Sequence, residues 1–450
     1  MDKQKIEFSA RASLVARGVR FQQMGIWAEV SAQVKIKQKA YKHTPLEKVL
    51  DCLINILAGG EGVVEVNTRV RPDKAVQHSF GRDCCADQST ISTTLNACRA
   101  QNITQMREAI KNILQQHARA YQHDYTQEEL LLDVDMTGMP AGRQGEGCTK
   151  GYFAHRKNCR GRQLGRVLAT DYDEIIVDRL YDGKRQLNRA MPDLVQQAQR
   201  VLALDAARRR ATIVRIDGGA GDDVNINWIL AAGYQLLIKL TSWRRANKLS
   251  DSVSEWFADP KIIDRSVGWV EQPLSFARET RQLLVRTPKS DGKWAYCMIV
   301  TTLSDALLFR LANRALPDAP SSQEQALATL HAYDQRGGGL ETQNKGDKQG
   351  LYLTHRNKRK FVAQEMLVLL AQLAHNFVIW TRNDLAQADP RLGKYGIQRI
   401  VRDALQIPGS VTFNETGNIQ KVTLNERHPL AAAAKTAFAC DDLSLYLRKN

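Results

Sequence analysis

The chain contains no CxxC pair. Its eight cysteines, Cys52, Cys84, Cys85, Cys98, Cys148, Cys159, Cys297 and Cys440, are irregularly spaced, which excludes a regular disulfide framework and reads as reduced thiols. Cys148, His155 and Cys159 are close in sequence, but no fourth partner stands at zinc-like spacing, so they read as unliganded. The opening stretch MDKQKIEFSARASLVARG has no continuous apolar core, so a secretory leader is not expected. The most apolar stretch, Phe361 to Trp380, is broken by Gln364, Glu365, Gln372, His375 and Asn376. That many polar groups excludes a lipid-exposed span and predicts a buried helix. Internal repeats and long low-complexity segments are lacking, which excludes solenoid and fibrous architectures. Acidic residues are in deficit, 48 against 64 Lys plus Arg, for a net charge of +16. The surplus predicts attraction to a polyanion, though basicity alone does not choose nucleic acid over other anionic partners.

What is present is an ordinary globular balance, 43% hydrophobic and 25% charged over 450 residues, enough for two or three domains and a sizeable core. Residues 44–120 have helical pattern. Thr44, Pro45 and Glu47 form a capping box with proline at the first helical position. Leu46, Val49, Leu50, Leu53, Ile54 and Leu57 mark one face, and Gly59–Gly60 ends the helix. A second helix starts near Asp87, with Ile91, Leu95 and Cys98 on one side and Ser89, Ser92, Thr93 and Asn96 on the other. Short polar side chains after a turn at Gly81–Asp83 suit a helix-turn-helix reader in a DNA groove, with Ser92 and Asn96 as contacts. An amphipathic helix in a bundle explains the same pattern. A third helix spans about Ile103–His117.

From residue 129 the period changes. Leu130–Met136 reads as a buried strand despite two aspartates. Arg162–Ala169 and Ile175–Tyr181 alternate around Asp171-Tyr172-Asp173, as an antiparallel hairpin does. Residues 190–209 have helical spacing, Thr212–Ile216 is a β-branched strand, about Asp223–Ala232 is a helix, and Tyr234–Leu240 is another strand. The order β-β-β-α-β-α-β is that of an RNase H-like mixed sheet, whose functional residues gather at the carboxyl ends of parallel strands. Residues 241–310 carry tryptophans and strand-like stretches, such as Arg281–Arg286 and Trp294–Thr301, and read as a β-rich insertion. Helical pattern returns at about 321–332, 360–382 and Ile397–Leu405. A hairpin, Val411–Phe413 with Lys421–Leu424, turns at Gly417.

The fold class expected is therefore α/β: an RNase H-like core with a β-rich insertion, preceded by an all-α N-terminal DNA-binding region. The expected divisions are 1–120 helical, 121–240 first part of the core, 241–320 insertion, 321–385 second part of the core, and 386–450 C-terminal region.

Two strand-end carboxylates stand out, Asp135 in LLLDVDMTG and Asp217 in IVRIDGGAG. A carboxylate on an apolar strand is expensive to bury unless it is paired or metal-bound. On neighbouring strands the two would converge, and hard oxygen ligands favour Mg²⁺ or Mn²⁺. Either aspartate could instead cap the turn after it, as Asp217 before two glycines readily does. Asp133, on the same strand face as Asp135, makes packing alone a poorer explanation. A third string, YDQRGGGLETQNKGDK, holds Tyr333, Arg336, Glu341 and Lys348. Glu341 and Lys348 are seven apart and share a helix face. Alone, the string also reads as a solvated charged helix.

Together these strings resemble the DDE transposases of bacterial insertion sequences. That family carries a first Asp in a D-x-T setting, a second Asp after a strand, and a Y-R-E-K signature with the catalytic Glu. Here they correspond to Asp135-Met136-Thr137, Asp217, and Tyr333, Arg336, Glu341 and Lys348. The stretch AQEMLVLLAQLAHNFVIW also looks like the helix such proteins place after the signature. Four residues separate Arg336 from Glu341 where the family has three, and three of them are glycine. The resemblance implies that Asp135, Asp217 and Glu341 hold two Mg²⁺ ions, or Mn²⁺, and that Tyr333, Arg336 and Lys348 grip phosphates. It implies cleavage at insertion-sequence ends and strand transfer, on double-stranded DNA, by a homodimer in the bacterial cytoplasm. An RNase H-like metal nuclease and an inactive DNA-binding derivative remain the alternatives. The basic run Arg156–Arg166, including Arg160 and Arg162, could track a DNA backbone or be a solvated loop, as could His355–Lys360. Trp243, Trp269 and Trp294 read as core residues, with base stacking as the other possibility.

Overall fold

In a computed structural model, residues 5–153, 158–240, 242–439 and 443–448 are described. Cys440, His155 and Arg156, singled out above, lie outside them. The chain divides into two compact units. One comprises Met1–His117, Met139–Cys148 and Gln343–Asn450, and the other Ala118–Gly138 and Thr149–Thr342.

The first unit opens with a strand, β1 (Lys5–Ser9), followed by helices α1 (Ala12–Gln23), α2 (Ile26–Gln33) and α3 (Pro45–Leu57). Thr44 caps α3 as its sequence dictates: its hydroxyl accepts from Glu47 N, and Glu47 Oε2 accepts from Thr44 N at 2.6 Å. Gly59, at φ +75°, ends the run where an L side chain would be strained. Short turns Val66–Arg69 and Lys74–Ser79 lead to α4 (Gln88–Ala97), capped by Asp87, and to α5 (Ala100–His117). The N-terminal region is thus not wholly helical. β1 pairs antiparallel with a strand some 400 residues downstream, Lys5 opposite Phe413.

The second unit is built on a ten-stranded sheet. Its strands are β2 (Leu130–Pro140), β3 (Thr149–Lys150), β4 (Arg160–Ala169) and β5 (Glu174–Asp182), then β6 (Thr212–Ile216) and β7 (Gln235–Lys239) after helices α6 (Leu187–Val201) and α7 (Asp223–Ala231). The described residues of 241–320, expected as a β-rich insertion, begin with α8 (Trp243–Leu249) and continue the same sheet. They supply β8 (Phe257–Ala258), β9 (Ser266–Trp269), β10 (Arg281–Pro288) and β11 (Trp294–Thr301), then α9 (Asp305–Leu311). β11 pairs with β7, Val300 opposite Ile238. The sheet order is β3-β4-β2-β6-β7-β11-β10-β9-β8, with β5 also on β4; β2, β6 and β7 run parallel. One core cluster, with Leu132, Val134, Val214, Ile216 and Ile238, packs under α6 and α7. Another, with Leu131, Ile213 and Leu237, meets α9 and the next helix. Alternate strand residues thus serve opposite faces of a sheet covered on both sides.

That next helix is α10 (Ser322–Asp334). A 3₁₀ turn, Gln335–Gly337, joins it to α11 (Leu340–Gly350), which crosses from the second unit into the first. The first unit then continues with α12 (Phe361–Ala388), strands β12 (Gly409–Phe413) and β13 (Ile419–Asn425), α13 (Ala431–Phe438) and β14 (Ser444–Arg448). The four-stranded sheet has the order β1-β12-β13-β14. α12 is long and apolar enough to cross a membrane, but 94% of its most apolar window is buried. Around it, Phe21 meets Phe377 edge-on at 5.2 Å between ring centres. Buried Arg17 lies over Phe377 and reaches Asp384 at 2.8 Å. Tertiary packing, not lipid, accounts for the apolar character of this helix.

Phe377→Ala should therefore destabilise the protein by about 3–5 kcal/mol, read as a lower urea midpoint at unchanged slope. A loss under about 1 kcal/mol would show that this aromatic cluster is not the packing centre of α12.

Candidate active site

The parallel register of β2 and β6 places the first two acids. Leu130 opposes Thr212, and the pairing runs in step to Asp133 opposite Arg215 and Val134 opposite Ile216. The ladder ends there: Asp135 is the next residue on β2, which runs on to Pro140, and Asp217 is the first residue after β6. Asp133 and Asp135 share a face, as do Arg215 and Asp217, because side chains alternate along a strand. Asp133 is fully buried and bound by Arg215, Nε to Oδ1 at 2.6 Å and Nη2 to Oδ2 at 2.8 Å. The second acid on the β2 face is thus neutralised in the core, whereas Asp135 lies at its rim. Asp217 does cap its turn, since Oδ1 accepts from Gly219 N at 2.8 Å. Its other oxygen faces the site.

The third acid arrives on the segment between α10 and α11. Leu340 is fully buried against Leu168 and Ile175, and Glu341, the next residue, is exposed at the helix start. Arg336, on the 3₁₀ turn, points its guanidinium among all three carboxylates. The distances are 2.7 Å to Glu341 Oε1, 3.7 Å to Asp135 Oδ2 and 3.9 Å to Asp217 Oδ2. The 3₁₀ turn and the glycines after it accommodate the four-residue spacing between Arg336 and Glu341. Tyr333 is half-buried at the end of α10, and Lys348 follows Glu341 by two turns of α11.

Electrostatics follow from this crowding. Burial and then the charge of Asp217 push the Asp135 carboxyl up to about 6, against the pull of Arg336. Burial works against the charge of Arg336, but Asp135, Tyr333, Asp217 and Glu341 outweigh it and hold the guanidinium pKa above its ordinary value. Burial also raises the Tyr333 phenol, which stays protonated at neutral pH. Among the described residues no three His, Cys, Asp or Glu side chains stand close enough to hold a metal as they are, because the acids ring a guanidinium. The donor set nevertheless fits a hard divalent cation. It comprises three carboxylates, and Arg336 Nη1, buried without a hydrogen-bond partner, already marks a position where positive charge is favoured.

Beside Asp135 and Asp217 opens a cavity of about 520 Å³, also lined by Lys150, Tyr152, Lys184 and Arg185. Its wall depends on close backbone contact: a Cβ on Gly151 would overlap Gly183 O. These cations were not among the residues expected from the sequence, although Gly183-Lys184-Arg185 directly after a strand was a usable signal; Arg160 and Arg162 were expected instead. Arg160 is half-buried at the start of β4, and Arg162 is 1% exposed. Arg166 is likewise buried, with its guanidinium on Asp178 at 2.7 Å. β4 is covered on both faces, which buries that part of the basic run.

In the first unit, Ser92 Oγ accepts from Lys358 Nζ at 2.7 Å, and the Asn96 carbonyl accepts from Lys360 Nζ at 2.8 Å. The polar face of α4 and the basic run His355–Lys360, read separately in the sequence, therefore adjoin. Of the tryptophans, Trp269 packs against a core cluster beneath Arg281. Trp243 is 63% exposed and Trp294 37%, so neither is a core residue. Arg286 lies between Trp294 and Trp256, at 4.6 and 4.1 Å from the ring centres.

A family model described as transposase DDE domain, group 1, matches residues 14–440. No curated protein is found to match. Among solved structures, the chain is similar to a chain of the piggyBac transposase synaptic complex with hairpin DNA, determined by cryo-EM. The identity is 12% and the TM-score 0.46, over 87% of this chain and 79% of that one.

The raised Asp135 pKa has a definite sign. Between its ordinary 3.8 and about 6, the folded state binds more protons than the unfolded state, so this group's contribution to stability falls as pH rises through that window. The size is about 3 kcal/mol at most. In chelator, Asp135→Asn should flatten the decline in unfolding free energy between pH 4 and 6. A variant with the wild-type slope contradicts the placement of Asp135 beside Asp217.

Proposed function

Since the chain belongs to the transposase DDE domain family, group 1, we propose that it cleaves DNA at the ends of a bacterial insertion sequence and joins those ends to target DNA. The observation that carries this reading is the convergence of Asp135, Asp217 and Glu341 on one guanidinium, each within 3.9 Å. DDE transposase domains generally use divalent metals. Here Asp135, Asp217 and Glu341 would hold two Mg²⁺ ions, or Mn²⁺, supplying Lewis acidity and a bound water of lowered pKa.

The protein's own side chains do the rest. Asp135 sits within β2 and Asp217 directly after β6, capping its turn, while Glu341 comes from a helix start. Arg336 offers a buried guanidinium to the non-bridging oxygens of the phosphate being cut. Tyr333, protonated, donates a hydrogen bond there. Lys150, Lys184 and Arg185 draw the adjoining strand along the cavity wall, with Arg160 at its margin and Lys348 as a further phosphate contact. Ser92 and Asn96, beside Lys358 and Lys360, present a polar and basic face to double-stranded terminal repeats. Joining two ends calls for a homodimer in the synaptic complex, and the bacterial cytoplasm is where such DNA resides.

Asp217→Asn should reduce end cleavage below detection while leaving Kd for end DNA within about threefold. Continued cutting would defeat the site assignment. A pre-cut end with a free 3′-hydroxyl should be joined to target; hydrolysis without joining would indicate a nuclease.

Lys184→Ala with Arg185→Ala should make the salt dependence of log K for DNA shallower, by about 1.4 to 1.8 for two lost phosphate contacts. An unchanged slope removes this cavity from the DNA path.

A further inference from the structure

Directly beneath the acids, on the same face of the sheet, lies a second layer of polar groups that the chemistry above does not use. Asp133 and Arg215 face each other in register, both about 1% exposed or less, and are joined by two hydrogen bonds. Asp133 Oδ2 also accepts from Thr170 Oγ1, in the β4–β5 turn, at 2.8 Å. Arg215 Nη1 donates to Ala332 O at 2.9 Å, a carbonyl in the last turn of α10. Gly339 rests on the same group from the other side. A Cβ built there would stand 2.9 Å from Thr170 Cγ2, 3.0 Å from Asp133 Oδ2 and 3.7 Å from Arg215 Nη2.

The stretch Ala332–Gly339, which carries Tyr333 and Arg336 and leads into Glu341, is therefore seated on one buried ion pair at both of its ends. A single residue, Leu340, separates the second contact from Glu341. Burying an ion pair costs desolvation of both charges, and well-packed apolar residues commonly do as well for stability. What apolar residues lack is direction. A bidentate pair with a third and fourth hydrogen bond fixes β2, β6, the β4–β5 turn and the end of α10 at set distances. The absence of a side chain at residue 339 lets the loop approach to contact distance.

We infer that the Asp133–Arg215 pair, with Thr170 and Gly339, is a spacer that sets how far Glu341 stands from Asp135 and Asp217, making these four positioning residues for the cation site. The inference rests on the reading that Asp135, Asp217 and Glu341 share that site. With the Thr170 methyl in place, a side chain at 339 lifts the start of α11 off the sheet and moves the third carboxylate outward, while Asp135 on β2 and Asp217 at the end of β6 stay where they are.

The test is Mn²⁺ binding to the full chain without DNA, followed by the loss of the free-ion EPR signal. Gly339→Ala should weaken Mn²⁺ binding at least tenfold. Thr170→Ser removes the methyl nearest the new Cβ and keeps the hydroxyl on Asp133. Alone it should bind as wild type, and combined with Gly339→Ala it should recover most of the lost affinity. Wild-type binding by Gly339→Ala overturns the inference, as does a loss that Thr170→Ser fails to recover. If Gly339→Ala does not fold, the double variant decides by the same criterion. Glu341→Gln separates the two levels: wild-type Mn²⁺ binding by that variant refutes the shared site itself, whereas weakened binding with an indifferent Gly339→Ala refutes only the spacer.

Discussion

Parallel pairing of β2 with β6, in the register that sets Asp133 against Arg215, is the constraint on which the site depends. Side chains alternate along a strand, so a slip of one residue would send either carboxylate to the opposite face. Asp133 would then lose its buried partner, and an unpaired buried charge costs several kcal/mol. The same ion pair that penalises a slip lies one step below Asp135 and Asp217. Strand register, a matter of packing, thus becomes site geometry. The third acid joins through α10 and α11, which meet the sheet at that same pair.

Bringing carboxylates together has an electrostatic cost, and the molecule shows where it falls. Asp135 is driven up to about 6 by burial and by Asp217. Arg336 offsets the mutual repulsion by lying among all three acids. A guanidinium carries one positive charge and donates hydrogen bonds in a plane; a pair of divalent ions carries four and accepts oxygen ligands from all sides. On the proposed function, the acids would favour the denser charge, leaving Arg336 available to an anionic phosphate. One arginine would in this way balance the acids and later face the substrate.

Much of this was legible in the sequence because the signals were local. The capping box at Thr44, the β-branched run Thr212–Ile216, and aspartates at the ends of apolar strands each carry their physics within a few residues. Glu341 emerged through a family pattern, although its own string also suited a solvated helix. The features that stayed hidden depend on partners far away in sequence. β1 reads as a short polar-apolar mixture until β12 is there to pair with it. Arg162 and Arg166 look like surface charges until neighbours cover both faces of β4, and Asp178 is what makes the burial of Arg166 tolerable. The residues after 240 read as a β-rich insertion, but that β11 would complete a ladder with β7 could not be read from them. The role of Gly339 could not be read from a run of three glycines, because the atoms it must clear belong to Thr170 and Asp133.

The central claim is that Asp135, Asp217 and Glu341 form one divalent-cation site. Anomalous diffraction from crystals grown in Mn²⁺ tests it most directly. The account predicts Mn²⁺ density touching all three carboxylates at about 2.1 Å, with the Arg336 guanidinium no longer between them. Mn²⁺ bound elsewhere, with Arg336 still seated among the acids, would contradict it.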